Sequence, residues 1–220
     1  MRTIVIASNK GGAGKTTLVT HLAVEAHRQN AGPVGVIDAD PMGGASGWYN
    51  ARDPAAGQPV FLEIGEGGLT AALRAAERAG IQTVLIDTPP AATDAIQAIM
   101  HVSDLVVVPV IPSPNDLRAI GDTLELVENS GRPFIFVLNN ADPRALLTGA
   151  ATRLLSQNGP IAATLINHRQ IYRSAMTDGR VAAEVRGSGA KQAAAEMAAL
   201  WTDIASTLKT GGNRRGAKGR

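Results

Sequence analysis

The chain contains no cysteine, which removes disulfide staples, cysteine-ligated zinc and iron–sulfur chemistry at once. A reducing cytoplasm fits that composition. Aromatic residues make up only 3%, so stacking on single-stranded bases has few side chains to use and the core must be built from Val, Ile, Leu and Ala. Long apolar stretches are missing too: the longest run, residues 105–111, contains Pro109 and is far short of a membrane span. Residues 1–8 read as a core strand and not as a cleaved leader. No internal repeat is visible, and 220 residues suit one domain, long enough to bury about 70% of its extended surface.

Net charge is +2, unevenly spread. Lys209, Arg214, Arg215, Lys218 and Arg220 fall in residues 209–220 with no acid among them, which leaves residues 1–208 at −3. Those last twelve residues are glycine-rich with Ala217 as the one apolar side chain, and are expected to form a basic, disordered tail. The tail either touches polyanions through groups such as Arg214 and Arg215 or is simply solvated.

What the chain does have is a glycine-rich turn, Asn9-Lys10-Gly11-Gly12-Ala13-Gly14-Lys15-Thr16-Thr17, between the apolar residues 3–7 and a helical pattern from Leu18. Glycines let successive backbone N–H groups converge, and the positive end of the following helix adds to them, so the turn suits phosphate oxygens. Gly11, Gly12, Ala13, Gly14 and Thr17 would form the cradle, Lys15 would reach the β- and γ-phosphates, and the Thr16 hydroxyl would bind Mg²⁺.

Apolar strands alternate with helical patterns through the rest of the chain. Strands are expected at residues 34–37, 83–86, 105–110, 133–138 and 161–166, with an edge strand at 60–62; helices are expected at 16–29, 69–78, 91–101, 115–129, 145–157, 169–177 and 190–208. Nearly continuous Val/Ile/Leu strands alternating with helices predict an α/β fold: a doubly wound, mainly parallel sheet with helices on both faces. The first of these strands delivers Asp38 and Asp40, and residues 83–86 end in Asp87, the form in which a carboxylate holds Mg²⁺, usually through water.

The loop departs from G-x-x-x-x-G-K-[ST] at Asn9 and adds Lys10 at its front. In this it resembles the deviant Walker A motif, K-G-G-x-G-K-[ST], of the ParA/MinD family of dimeric P-loop ATPases. Val36-Ile37-Asp38-Ala39-Asp40-Pro41 resembles that family's switch I, and Asp87-Thr88-Pro89-Pro90 its switch II. Pro109-Val110-Ile111-Pro112-Ser113-Pro114, Asn167-His168-Arg169-Gln170-Ile171-Tyr172 and Asp178-Gly179 look like the small plasmid-partition ATPases of the ParA group.

The resemblance implies a single ATPase domain over residues 1–208. Its cofactors would be ATP and Mg²⁺, with Lys10 reaching the partner's nucleotide in a homodimer, Asp40 positioning the attacking water, and Asp38 supporting Mg²⁺ and Thr16. Catalysis would then rest on Lys10, Lys15 and Asp40. Asn139 and Asn140 stand where the family contacts adenine; the alternative is ordinary loop asparagines. The resemblance further implies nonspecific DNA binding by the ATP-bound dimer, a centromere-binding adaptor protein that stimulates hydrolysis, and a cytoplasmic, nucleoid-associated location.

Candidate DNA contacts are Arg169 and Arg173, four apart on an expected helix, with Arg180, Arg186 and Lys191; a solvated face or local ion pairs is the bland alternative. His101 and His168 lack companion ligands at metal spacing and read as structural or solvated.

Other functions remain open. A MinD-like membrane regulator would need an amphipathic C-terminal helix, which this tail does not provide, so no membrane contact is expected. A tyrosine autokinase would need a tyrosine-rich tail, whereas both tyrosines lie elsewhere. A P-loop metabolite enzyme and an ATPase that positions a protein cargo instead of DNA both stay compatible with the sequence.

Overall fold

The computed structural model describes residues 1–90, 94–118 and 120–211. Six strands form one sheet: β1 (Arg2–Ile6), β2 (Val34–Asp38), β3 (Val60–Phe61), β4 (Thr83–Asp87), β5 (Leu105–Val110) and β6 (Phe134–Leu138). Their spatial order is β3-β2-β4-β1-β5-β6, and every pairing is parallel. Parallel neighbours need crossovers, and the helices supply them: α1 (Lys15–Arg28), α2 (Gly44–Asn50), α3 (Gly68–Arg78), α4 (Asp94–His101), α5 (Pro114–Arg118), α6 (Ile120–Ser130), α7 (Leu146–Ser156), α8 (Gln170–Met176) and α9 (Ser188–Gly211).

The strands read as unbroken apolar runs because both faces are covered. Ile4, Ile6, Val34, Val36, Leu85 and Val107 pack with α1 and α9 on one side. Val5, Ile37, Val84, Ile86, Val106 and Val108 pack with α3, α4, α6 and α7 on the other. Successive residues of one strand thus belong to different layers, as strand geometry requires. The doubly wound parallel fold is the architecture expected from the sequence.

Two local expectations are corrected. Residues 161–166 are not a strand: this segment meets β6 through an isolated bridge, Phe136 with Ile161, and through the Ile166 amide, which donates to the Leu138 carbonyl at 2.9 Å; a second isolated bridge, Ala141 with Asn167, lies beyond both. The reason is competition for backbone donors, since the Thr164 amide donates to Asp203 on α9 at 2.9 Å and not to the sheet. Of the helix expected over 115–129, α5 and α6 are described and Ala119 between them lies outside the described residues, as do residues 91–93 ahead of α4. The last helix runs to Gly211, so Lys209 belongs to it and not to a tail; Arg214 and Arg215 lie outside the described residues.

Candidate nucleotide site

In an open parallel sheet, ligands bind where the loops leave the C-terminal strand ends. Here β1 sits between β4 and β5, and Ile6, Asp87 and Asp38 share one row across three strands. That row brings the three sequence motifs together.

The turn after β1 is shaped by two left-handed residues, Gly12 at φ +79° and Gly14 at φ +91°. Gly14 is doubly constrained, because a Cβ there would stand 2.2 Å from the Asn139 side-chain nitrogen. That nitrogen donates to the Ala13 carbonyl at 2.7 Å and ties the loop to the end of β6. Asn139 is therefore a brace of the phosphate loop, and its neighbour Asn140 pairs with His168. Gly14 ends the turn without any side-chain cap on α1, so the first amides of that helix face the loop, the arrangement that favours an anion.

Lys15 is buried, its ammonium lying 3.5 Å from the Ser8 carbonyl and 3.3 Å from that of Lys10. Burial pulls its pKa below the usual lysine range, while Asp87 and Asp40 act in the other direction by favouring the charged form. The Thr16 hydroxyl donates to Asp87 Oδ2 at 2.6 Å. Burial pushes the Asp87 carboxyl up to about 7, opposed by the Thr16 hydrogen bond and Lys15 and reinforced by Asp38 and Asp40.

Asp38 accepts the amides of Asp40 at 3.0 Å and Ser46 at 2.8 Å, so both its oxygens hold the start of the following turn. Asp40 accepts the Met42 amide at 3.0 Å and lies within electrostatic reach of Lys15 and Asp87. Among the described residues no three His, Asp or Glu side chains converge as a metal cluster. One hydroxyl and one carboxylate suit Mg²⁺, which takes few protein ligands and completes its octahedron with water and phosphate oxygens.

A cavity of about 240 Å³ opens beside the loop, lined among others by Gly12, Thr17, Asn140, Asn167, His168 and Arg173. Gly12, Thr17 and Asn140 are expected in the nucleotide site from the sequence; that Asn167, His168 and Arg173 line the same cavity is not. The organiser of this wall is Glu196 on α9, whose carboxylate accepts from Asn167 at 2.6 Å, Arg169 at 2.6 Å and Tyr172 at 2.7 Å. Burial works to raise the Glu196 carboxyl, but the hydrogen bonds from Arg169, Asn167 and Tyr172 outweigh it and hold it low. An ionised carboxylate only accepts, so it draws the Asn167 amide nitrogen and turns Oδ1 away, leaving that buried oxygen without a protein donor.

The candidate DNA contacts separate here. Arg169 lies outside α8 as its N-cap and is neutralised by Glu196, with a further bond to Gln192, so it is not a free cation on a helix face. Arg180 pairs with Asp178 at 2.7 Å. Arg173, Arg186 and Lys191 are exposed.

The profile of the family described as "CobQ/CobB/MinD/ParA nucleotide binding domain" matches residues 4–181. The "maintenance of carboxysome distribution protein A" of Halothiobacillus neapolitanus is 31% identical over 211 residues, covering 92% of this chain and 95% of that one. The protein of the same description from Gloeobacter kilaueensis is 32% identical over 199 residues, covering 89% and 90%. Among solved structures, the septum site-determining protein MinD complexed with Mg-ADP from Pyrococcus horikoshii superposes with a TM-score of 0.72 at 18% identity, covering 92% of this chain and 95% of that one. By the family match over residues 4–181, the chain belongs to the CobQ/CobB/MinD/ParA nucleotide-binding family, as a P-loop ATPase of the ParA/MinD type.

Proposed function

We propose that this protein is a positioning ATPase whose Mg²⁺-ATP-bound form dimerises, binds DNA without sequence preference and distributes a protein-built cargo, releasing it on hydrolysis stimulated by an adaptor protein. The observation that carries the choice of cargo is the likeness to carboxysome-distribution proteins, which spans nearly the whole of both chains.

The site supports the switch. The Thr16–Asp87 hydrogen bond and the interaction of Lys15 with Asp87 and Asp40 support reading Lys15 as a phosphate ligand, Thr16 and Asp87 as cation ligands and Asp40 as the residue that positions the water. Phosphoryl transfer requires such positioning and charge stabilisation more than covalent chemistry. No helix among the described residues is long and apolar enough to cross a membrane. Basic groups for DNA remain in Arg173, Arg186 and Lys191, and in Arg214 and Arg215; pairing two copies doubles each of them.

Deleting the gene in its host and imaging the cell tests the cargo. Clustering of a protein-bounded body with plasmids retained supports the reading; plasmid loss without such clustering rejects it in favour of DNA segregation. The DNA switch is tested by filter binding across a salt series. Affinity should be higher with a nonhydrolysable ATP analogue than with ADP, and should fall with a logarithmic slope of about 0.9 per phosphate contacted. Removing residues 212–220, which keeps Ser188–Gly211 of α9, should flatten the slope and preserve the nucleotide requirement.

A further inference from the structure

Trp48 and Arg52 line no part of the nucleotide cavity, yet both are buried and both donate into the same distant loop. The Trp48 indole N–H donates to the Arg180 carbonyl at 3.1 Å. The Arg52 guanidinium forks onto Glu184 with bonds of 2.9 and 2.5 Å, and also donates to the carbonyls of Gly179 at 2.9 Å and Gln58 at 3.1 Å. Its central carbon lies 5.1 Å from the centre of the Trp48 ring, so the two side chains form one unit.

Residues 179–184 are thereby clamped to the end of α2. Asp178-Gly179 stands out in the sequence and has no task in the nucleotide site; here it sets how close the clamp can be. Gly179 adopts φ +67°, and a Cβ there would stand 2.2 Å from the Arg52 amide nitrogen and 2.4 Å from the Ala51 carbonyl carbon, so backbone meets backbone. Burial works to raise the Glu184 carboxyl, but the hydrogen bonds and charge of Arg52 outweigh it and hold it low. A forked arginine–carboxylate pair fixes orientation as well as charge.

The other end of α2 reaches the chemistry. The Ser46 amide donates to Asp38 at 2.8 Å, the Gly43 amide donates to the Asp40 carbonyl at 2.9 Å, and Gly44 lies against the Thr16 side chain. Only seven residues, about 10 Å of helix, separate the two ends. So short a helix has little stability of its own, and the ties at its ends decide where it sits.

We propose that Trp48 and Arg52 are positioning residues for Asp40: by pinning the far end of α2 to residues 179–184 they hold residues 38–43, and with them the Asp40 carboxylate, at the phosphate end of the site. The inference rests on the water-positioning role of Asp40 in the proposed function. A misplacement of about 1 Å at the reacting groups costs on the order of a hundredfold in rate. The groups assigned to phosphate and cation stand on the β1–α1 turn and on β4, which α2 does not carry. Losing the clamp should therefore lower turnover and spare nucleotide affinity.

The experiment measures kcat at saturating ATP, and ADP affinity by calorimetry, in variants of the clamp. Arg52→Met/Glu184→Met replaces the ion pair with apolar side chains and leaves no unpaired charge; turnover should fall roughly 10–100-fold with ADP affinity unchanged. Trp48→Phe keeps an aromatic ring but loses the bond to Arg180. It should show the same pattern to a smaller degree, and it carries the test if the double variant does not fold. The same substitutions are then placed in Asp40→Ala. There they should cost no further turnover, because the group they position is gone, whereas a merely structural role would lower both backgrounds alike. Unchanged turnover in the folded variants, ADP affinity falling in step with turnover, or an undiminished loss in Asp40→Ala would each overturn the inference and leave the role of Asp40 standing. If Asp40→Ala by itself turns over normally, that role fails and the inference falls with it.

Discussion

Thr16 and Asp87, 71 residues apart in sequence, are joined by a 2.6 Å hydrogen bond that links the first turn of α1 to the end of β4. The bond holds the two proposed cation ligands in one place. Asp87→Asn keeps the size but removes the charge a cation needs, so ADP binding should lose its dependence on Mg²⁺ and turnover should fall by roughly two powers of ten. Calorimetry with ADP, with and without Mg²⁺, checks this; an unchanged Mg²⁺ dependence would place the cation elsewhere.

The phosphate loop is expected to respond at two points. Lys15→Ala removes the buried ammonium and should abolish measurable nucleotide binding while the fold persists. Gly14→Ala should also fail to bind well, because φ +91° costs an L-residue roughly 1–2 kcal/mol and the new Cβ would displace Asn139 from Ala13. Titration calorimetry against ADP reads both, and near-normal affinity in Lys15→Ala would contradict the central assignment.

Asp40 holds only its local turn through Met42, which leaves it available to a water at the phosphate end of the site. Asp40→Ala should therefore bind ATP and dimerise, with turnover reduced by roughly two or more powers of ten. Unchanged turnover at saturating ATP would remove it from the chemistry.

His21 offers a test of stability against pH. Its Nδ1 meets the Thr17 carbonyl at 2.9 Å, and its Nε2 accepts the Ala182 amide at 3.1 Å. Burial lowers its pKa from 6.5 to about 4, outweighing the Thr17 hydrogen bond and Glu184. The unfolded chain then binds a proton that the folded chain refuses between those values. This contribution to stability is complete above pH 6.5 and is lost as pH falls toward 4, by up to about 3 kcal/mol. Denaturant unfolding at stepped pH, compared with His21→Gln, should show the steeper decline in the unsubstituted protein; parallel curves would rule the histidine out as its source.

Much of this protein follows from order along the chain. A strand of buried apolar residues, a turn with glycine where φ must be positive, and a helix beginning at Lys15 are local properties, so the phosphate loop and the alternation of strand and helix are legible in residues 3–28 alone. Asp87 was legible for the same reason, as the polar end of an apolar strand. Other features depend on which strands become neighbours. Placing β1 beside β5 brings Lys10 to Asp116, and folding α9 against α8 makes Glu196 the organiser of Asn167, Arg169 and Tyr172. A charge on a sequence has no partner until the fold supplies one. Arg169 therefore reads in the sequence as either a DNA contact or a local ion pair and is paired with Glu196 in the structure, and residues 161–166 read as a strand until Asp203 takes the Thr164 amide that the sheet would have used.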